Sequence, residues 1–89
     1  MQTFPPKLER TLIYDEEGLK AFAKQLVSLR KKHGFSQESL AADSGLALSQ
    51  IARIETAKIN PTLSTVFAIC RALKIPLSEV FDFKLPNKK

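Results

Sequence analysis

Apolar residues along this chain recur at intervals of three and four rather than alternating, so the pattern is helical throughout its middle. Leu19, Phe22, Ala23, Leu26 and Leu29 fall on one face of a first helix predicted from about Glu16 to His33. Asp15 marks its start as N-cap, with Glu16 and Glu17 in the first turn, where carboxylates meet the positive end of the helix dipole. Tyr14 and Leu19 flank that turn as a hydrophobic staple, and Arg30-Lys31-Lys32-His33 place cations beside the last carbonyls before Gly34. A second helix opens at Ser36, with Phe35 and Leu40 as staple, and ends at Ser44-Gly45, where glycine supplies a positive φ. A third, from about Leu48 to Glu55 or Thr56, turns Ile51 and Ile54 inward. Pro61-Thr62 opens a fourth, with Leu63, Val66, Phe67, Cys70 and Leu73 as its stripe. Pro76 restarts the chain, and Leu77, Val80 and Phe81 predict a last helix of two turns. The fold class expected is all-α.

Length and composition sharpen this picture. With 89 residues there is room for one core, so the chain reads as an N-terminal arm (1–14), one domain (15–83) and a basic tail (84–89). At 44% apolar and 26% charged residues it has the composition of a folded domain. The longest apolar run is Val66–Cys70, and Met1-Gln2-Thr3-Phe4-Pro5-Pro6 has no signal-peptide h-region, so a cytoplasmic protein is expected. Cys70 is the single cysteine and His33 the single histidine, which excludes an internal disulfide and a Cys/His metal cluster. No enzyme is expected either. Cys70 lies on an apolar stripe, His33 sits at a helix end, and no glycine-rich phosphate loop is present. Asp15, Glu16 and Glu17 diverge around the helix axis and read as capping rather than as metal ligands. No cofactor is implied.

The net charge of +5 suggests nucleic acid until it is divided by region. Between Asp15 and Phe83 there are nine Lys/Arg against eight Asp/Glu, so most of the excess lies in the tails. DNA binding therefore depends on where individual side chains lie rather than on bulk charge.

Two helices of about two turns, joined at a glycine after a longer first helix and followed by two more, describe a helix-turn-helix bundle. The residues themselves are Leu29-Arg30-Lys31-Lys32-His33-Gly34-Phe35-Ser36-Gln37-Glu38-Ser39-Leu40-Ala41, then Gly45, Ile51-Ala52-Arg53-Ile54-Glu55, Asn60-Pro61-Thr62-Leu63 and Ala72-Leu73-Lys74-Ile75. This series resembles the XRE/lambda-repressor-like family of bacterial and phage DNA-binding domains, over about Leu19 to Phe83. The resemblance implies a compact five-helix bundle whose third helix, about 48–55, lies in the major groove with its N-terminal residues at base edges.

Carried over by position, Leu48, Ser49 and Arg53 would face bases. Arg53 suits guanine O6 and N7, a bidentate contact worth about 1–3 kcal/mol of discrimination. Leu48 has two readings, contact with a thymine methyl or burial in the core. The resemblance also assigns Gln37 to the phosphate backbone, at a helix start whose unpaired N–H groups favour anions; Ser36, which fixes that helix end, and Thr56 and Lys58, just beyond the third helix, are placed to touch phosphates as well. Lys58 reads equally as a solvated loop lysine, and Gln50 either meets DNA or caps its own helix. Arg30 and Glu55 match a pair that bridges the first and third helices in relatives; the alternative leaves Arg30 neutralising its own helix end.

Two residues depart from the family pattern. Ala47 stands where Ser or Thr caps the third helix, and Ala57 where glycine follows it. The function expected is a sequence-specific double-stranded DNA-binding regulator, a repressor or autoregulator, acting as a homodimer on a palindromic operator. Alternatives are an antitoxin with a toxin as partner, a restriction-system controller protein, or a protein-interaction module that has lost DNA binding. Val80, Phe81, Phe83, Leu85, Phe4 and Leu12 are the expected dimer surface, while Thr11–Tyr14 and Phe83–Leu85 leave two readings open: the two ends pair as strands, within or between subunits, or the arm frays.

Overall fold

The computed structural model describes residues 13–87. Five helices follow in order: α1 (Glu16–Lys32), α2 (Gln37–Ser44), α3 (Leu48–Glu55), α4 (Leu63–Leu73) and α5 (Leu77–Val80). No strand occurs among the described residues, and the fold is all-α.

Local chemistry sets most of the boundaries. The Asp15 carboxylate accepts the Gly18 N–H at 2.9 Å, closing the start of α1. A Cβ on the buried Gly18 would stand 2.9 Å from that same carboxylate, so glycine is what lets the cap close this tightly. Ser36 and Ser39 form a reciprocal capping box at α2, each hydroxyl accepting the other's backbone N–H at 2.9 Å. Gly45 ends α2 in the left-handed conformation, φ +79°, and its N–H donates to the Ala41 carbonyl at 3.0 Å. Ala47 brings no side-chain oxygen to the start of α3. After α3, Ala57 adopts φ +59°, so an alanine does here what glycine does without a steric penalty. Thr62 caps α4 by accepting the Thr65 N–H at 3.2 Å.

Each helix then sends at least one side chain into a common centre. Leu26, Leu40, Ile51, Ile54, Ile69 and Val80 are almost wholly excluded from solvent. At about 1.5–3 kcal/mol for each fully buried aliphatic side chain, this cluster is what holds two-turn helices that would not persist alone. α2 packs on α3 and α4, while α1 supports α3 and α5.

The C-terminal region departs from the expected pattern. α5 is one turn, not two, because the chain reverses at once: the Phe83 N–H donates to the Phe81 carbonyl at 2.9 Å. That reversal lays the Phe81 ring against Phe22, with centroids 5.7 Å apart, and packs Phe83 on the core. Gln25 in α1 holds the short helix by donating its side-chain amide to the Glu79 carbonyl at 2.9 Å. Val80 is completely buried and is removed from the expected dimer surface. Ile13, Tyr14 and residues 83–85 form no strand pairing; Phe4, Thr11 and Leu12 lie outside the described residues.

Candidate nucleic-acid interface

α3 presents two unlike sides. Ile51 and Ile54 are buried beneath it, whereas Leu48, Ser49 and Arg53 face solvent. Leu48 is 43% exposed, so its alternative placement in the core does not hold. Ser49 and Arg53 are four residues apart and share one face of the helix. Gln50 is half-buried, and among the described residues its amide makes no hydrogen bond to the uncapped helix start. Beyond α3, Thr56 and Lys58 are exposed. The Thr56 hydroxyl donates to the Ala52 carbonyl at 2.8 Å, so its proton is already engaged within the helix end.

Behind this face lies a buried polar junction. Arg30 Nε donates to Glu55 Oε2 at 2.6 Å and Nη2 donates to Oε1 at 3.0 Å, a bidentate clamp between α1 and the last residue of α3. The remaining guanidinium nitrogen, Nη1, donates to the Phe35 carbonyl at 2.9 Å and so holds the loop entering α2. The two side chains are only 10% and 3% exposed. A carboxylate at a helix C-terminus opposes the dipole, so Arg30 is what makes Glu55 tolerable there.

Gln37 joins the same junction, its Nε2 donating to Glu55 Oε1 at 2.9 Å. One carboxylate therefore connects α1, α2 and α3. Sequence reasoning placed Gln37 on phosphate and missed this link, since eighteen residues separate the partners and no local pattern joins them. Ser36 is exposed and its hydroxyl oxygen is engaged in capping α2. Ser39 escaped notice as its partner, although the Ser-x-x-Ser spacing was available to find it.

Nothing among the described residues gathers three metal-ligating side chains, and no helix is long and apolar enough to cross a membrane. Burial pushes the Cys70 thiol above its ordinary range, which keeps it protonated and unreactive.

A short helix with an apolar inner side and a polar outer side, joined to its predecessor through a glycine turn and braced from behind, defines a helix-turn-helix domain. The Helix-turn-helix family model matches residues 26–80, and the chain belongs to that family. Its relatives include the HTH-type transcriptional regulator PuuR of Escherichia coli, 39% identical over 67 residues that make up 75% of this chain and 36% of that protein. An uncharacterized HTH-type transcriptional regulator of Haemophilus influenzae is 35% identical over 74 residues, covering 76% of each chain. The chain thus spans about a third of the length of PuuR and three quarters of the Haemophilus protein. Among solved structures, the restriction-modification controller protein C.AhdI from Aeromonas hydrophila superposes with a TM-score of 0.69 at 36% identity, over 71% of this chain and 96% of that one. An HTH_3 family transcriptional regulator from Vibrio cholerae superposes with a TM-score of 0.73 at 29% identity, over 76% of this chain and 38% of that one.

Proposed function

We propose that this protein is a sequence-specific transcriptional regulator that inserts α3 into the major groove of double-stranded DNA. The observation that carries the reading is the exposure of Leu48, Ser49 and Arg53 on a helix whose opposite side is locked into the core by Ile51 and Ile54. Arg53 supplies the bidentate fork for a guanine, Ser49 a hydroxyl for a neighbouring base edge, and Leu48 an apolar surface for a thymine methyl. Gln37 has a second amide hydrogen beyond the one held by Glu55, and that hydrogen serves a phosphate at the start of α2. Lys58 adds a positive charge beyond the end of α3. The Ser36 and Thr56 hydroxyls complete the backbone contacts by turning their protons outward to phosphate oxygens, Ser36 releasing the Ser39 hydroxyl and Thr56 the Ala52 carbonyl, and the Gln50 amide donates beside them.

One copy spans few base pairs, so the operator is read by two copies related by a two-fold axis, in the cytoplasm. A second reading, control of a restriction-modification operon, is favoured by the match to nearly the whole length of C.AhdI.

Selection of bound duplexes from a random pool tests the proposal. A recovered palindrome with half-sites about one helical turn apart supports it. Affinity for duplex that is undetectable, or that fails to fall steeply with rising salt, rejects it in favour of a protein-interaction module that has lost DNA binding.

A further inference from the structure

Where α4 gives way to α5, a hollow of about 380 Å³ is lined by Phe67, Cys70, Arg71, Lys74, Ile75 and Leu77. Cys70 and Ile75 are buried and Phe67 is half-buried, so the floor is apolar, and the exposed Leu77 forms one wall. Arg71 and Lys74, three residues apart and both exposed, complete the edge. Neither cation pairs with a carboxylate among the described residues, and no carboxylate lines the hollow. A positive charge near a helix C-terminus is favoured by the dipole, which accounts for the cations but not for the apolar hollow beside them. Lys74 also carries a cost, because it holds φ +59° at the end of α4, where glycine would sit without strain.

We infer that this hollow docks an acidic, amphipathic segment of a partner protein, with one apolar side chain on the Phe67–Ile75 floor and flanking carboxylates on Arg71 and Lys74. The argument is charge complementarity around an apolar centre: a pocket selects the side chain that enters it, and the two unpaired cations select the sign of its neighbours. Nucleic acid is a poorer occupant, since its phosphates would meet the cations and leave the apolar floor uncovered. A free small molecule is poorer as well, because the hollow is shallow and open, whereas small ligands sit in clefts that bury most of their surface. No residue of α2 or α3 lines the hollow, so a partner seated here leaves the proposed reading helix free. The inference goes beyond the DNA reading and does not depend on it.

The test is selection from a phage-displayed library of random peptides of about twelve residues, against the full chain without DNA. Recovered peptides are expected to combine Asp or Glu with Leu or Phe, and to move the NMR signals of the Phe67 ring and the Leu77 methyls. Arg71→Glu/Lys74→Glu should weaken a recovered peptide about tenfold or more. Lys24→Glu/Lys31→Glu makes the same change in net charge on α1 and should leave the affinity within about twofold, because separated surface charges are screened. All four positions are exposed, so both variants should keep the parent's circular dichroism. Lys74→Gly separates binding from folding: relief of the left-handed strain should raise the thermal midpoint, yet peptide affinity should fall about threefold. No recovered peptide, recovered peptides without acidic residues or without effect on the Phe67 and Leu77 signals, or equal losses in the two charge-reversed variants would overturn the inference. So would decanoate alone moving the same signals at micromolar concentration, or self-association that weakens in Arg71→Glu/Lys74→Glu; these would assign the hollow to a small carboxylate or to a second copy. A chain that binds such peptides and no duplex keeps this inference and loses only the DNA reading.

Discussion

Gln37 and Glu55 are joined by a 2.9 Å hydrogen bond from the side-chain amide to Oε1, the same carboxylate oxygen that receives Arg30 Nη2 at 3.0 Å. The first residue of α2 is thereby tied to the last residue of α3, and both to α1, so the angle between the two short helices is set by polar groups as well as by the core. A second consequence concerns orientation. An amide facing a carboxylate must present its NH₂, so Glu55 decides which way Gln37 points.

Glu55→Ala should therefore be among the most damaging single changes in the protein. It leaves the buried Arg30 guanidinium and the Gln37 amide without their acceptor, a loss expected to be about 3–5 kcal/mol. Urea denaturation gives the value. The paired replacement Arg30→Met/Glu55→Leu should recover much of it, because desolvation of the ion pair offsets most of its attraction. A Glu55→Ala protein with the parent's midpoint would show that the junction contributes nothing.

Ala57→Gly should stabilise the fold. Its φ of +59° lies where a Cβ crowds the following carbonyl, and relieving that strain is worth about 1 kcal/mol after the extra freedom of unfolded glycine is subtracted. For a domain of this size that is a rise of roughly 4–8 °C in thermal midpoint. No rise, or a fall, would mean that the surrounding turn already absorbs the strain.

Arg53→Ala and Lys58→Ala should separate two kinds of contact. The first is expected to relax preference at one base position per half-site, worth about 1–3 kcal/mol, with little change in binding to random duplex. The second should weaken binding to all sequences alike and reduce the salt slope by about one. Selection of bound sequences and salt titrations on both variants check the assignment; unchanged selectivity in the first would remove Arg53 from the reading face.

Cys70 should resist alkylation in the native state and react on unfolding, since burial holds its thiol neutral. Its folded pKa lies above the unfolded one. The stability it contributes is therefore fully present below the ordinary thiol range and declines as pH rises through that range toward the folded value. Thermal midpoints measured across the alkaline limb should fall less steeply for Cys70→Ala than for the parent once the loss of the buried sulfur is allowed for.

Most of the helical framework is legible in the residues because its determinants are local. Asp15, Ser36 and Thr62 act on N–H groups three positions away, and Gly45 acts through its own φ. The stripe through Phe22, Leu26 and Leu29 likewise shows its inner side through spacing alone. The last helix departs from its period for the opposite reason. Leu77, Val80 and Phe81 fit two turns by spacing, but the helix stops after one, and Phe81 lies against Phe22, a contact nearly sixty residues apart that no local pattern announces.

The same division holds at the reading face. The amino-acid order alone placed a short helix at Leu48–Glu55 with Ile51 and Ile54 beneath it, because those two are apolar and three residues apart. Only the folded chain decided that Leu48 faces water, that Val80 is sealed away from any partner, and that Gln37 meets Glu55. These outcomes depend on the rotation of whole helices about their axes, which is settled where five of them compete for one small core.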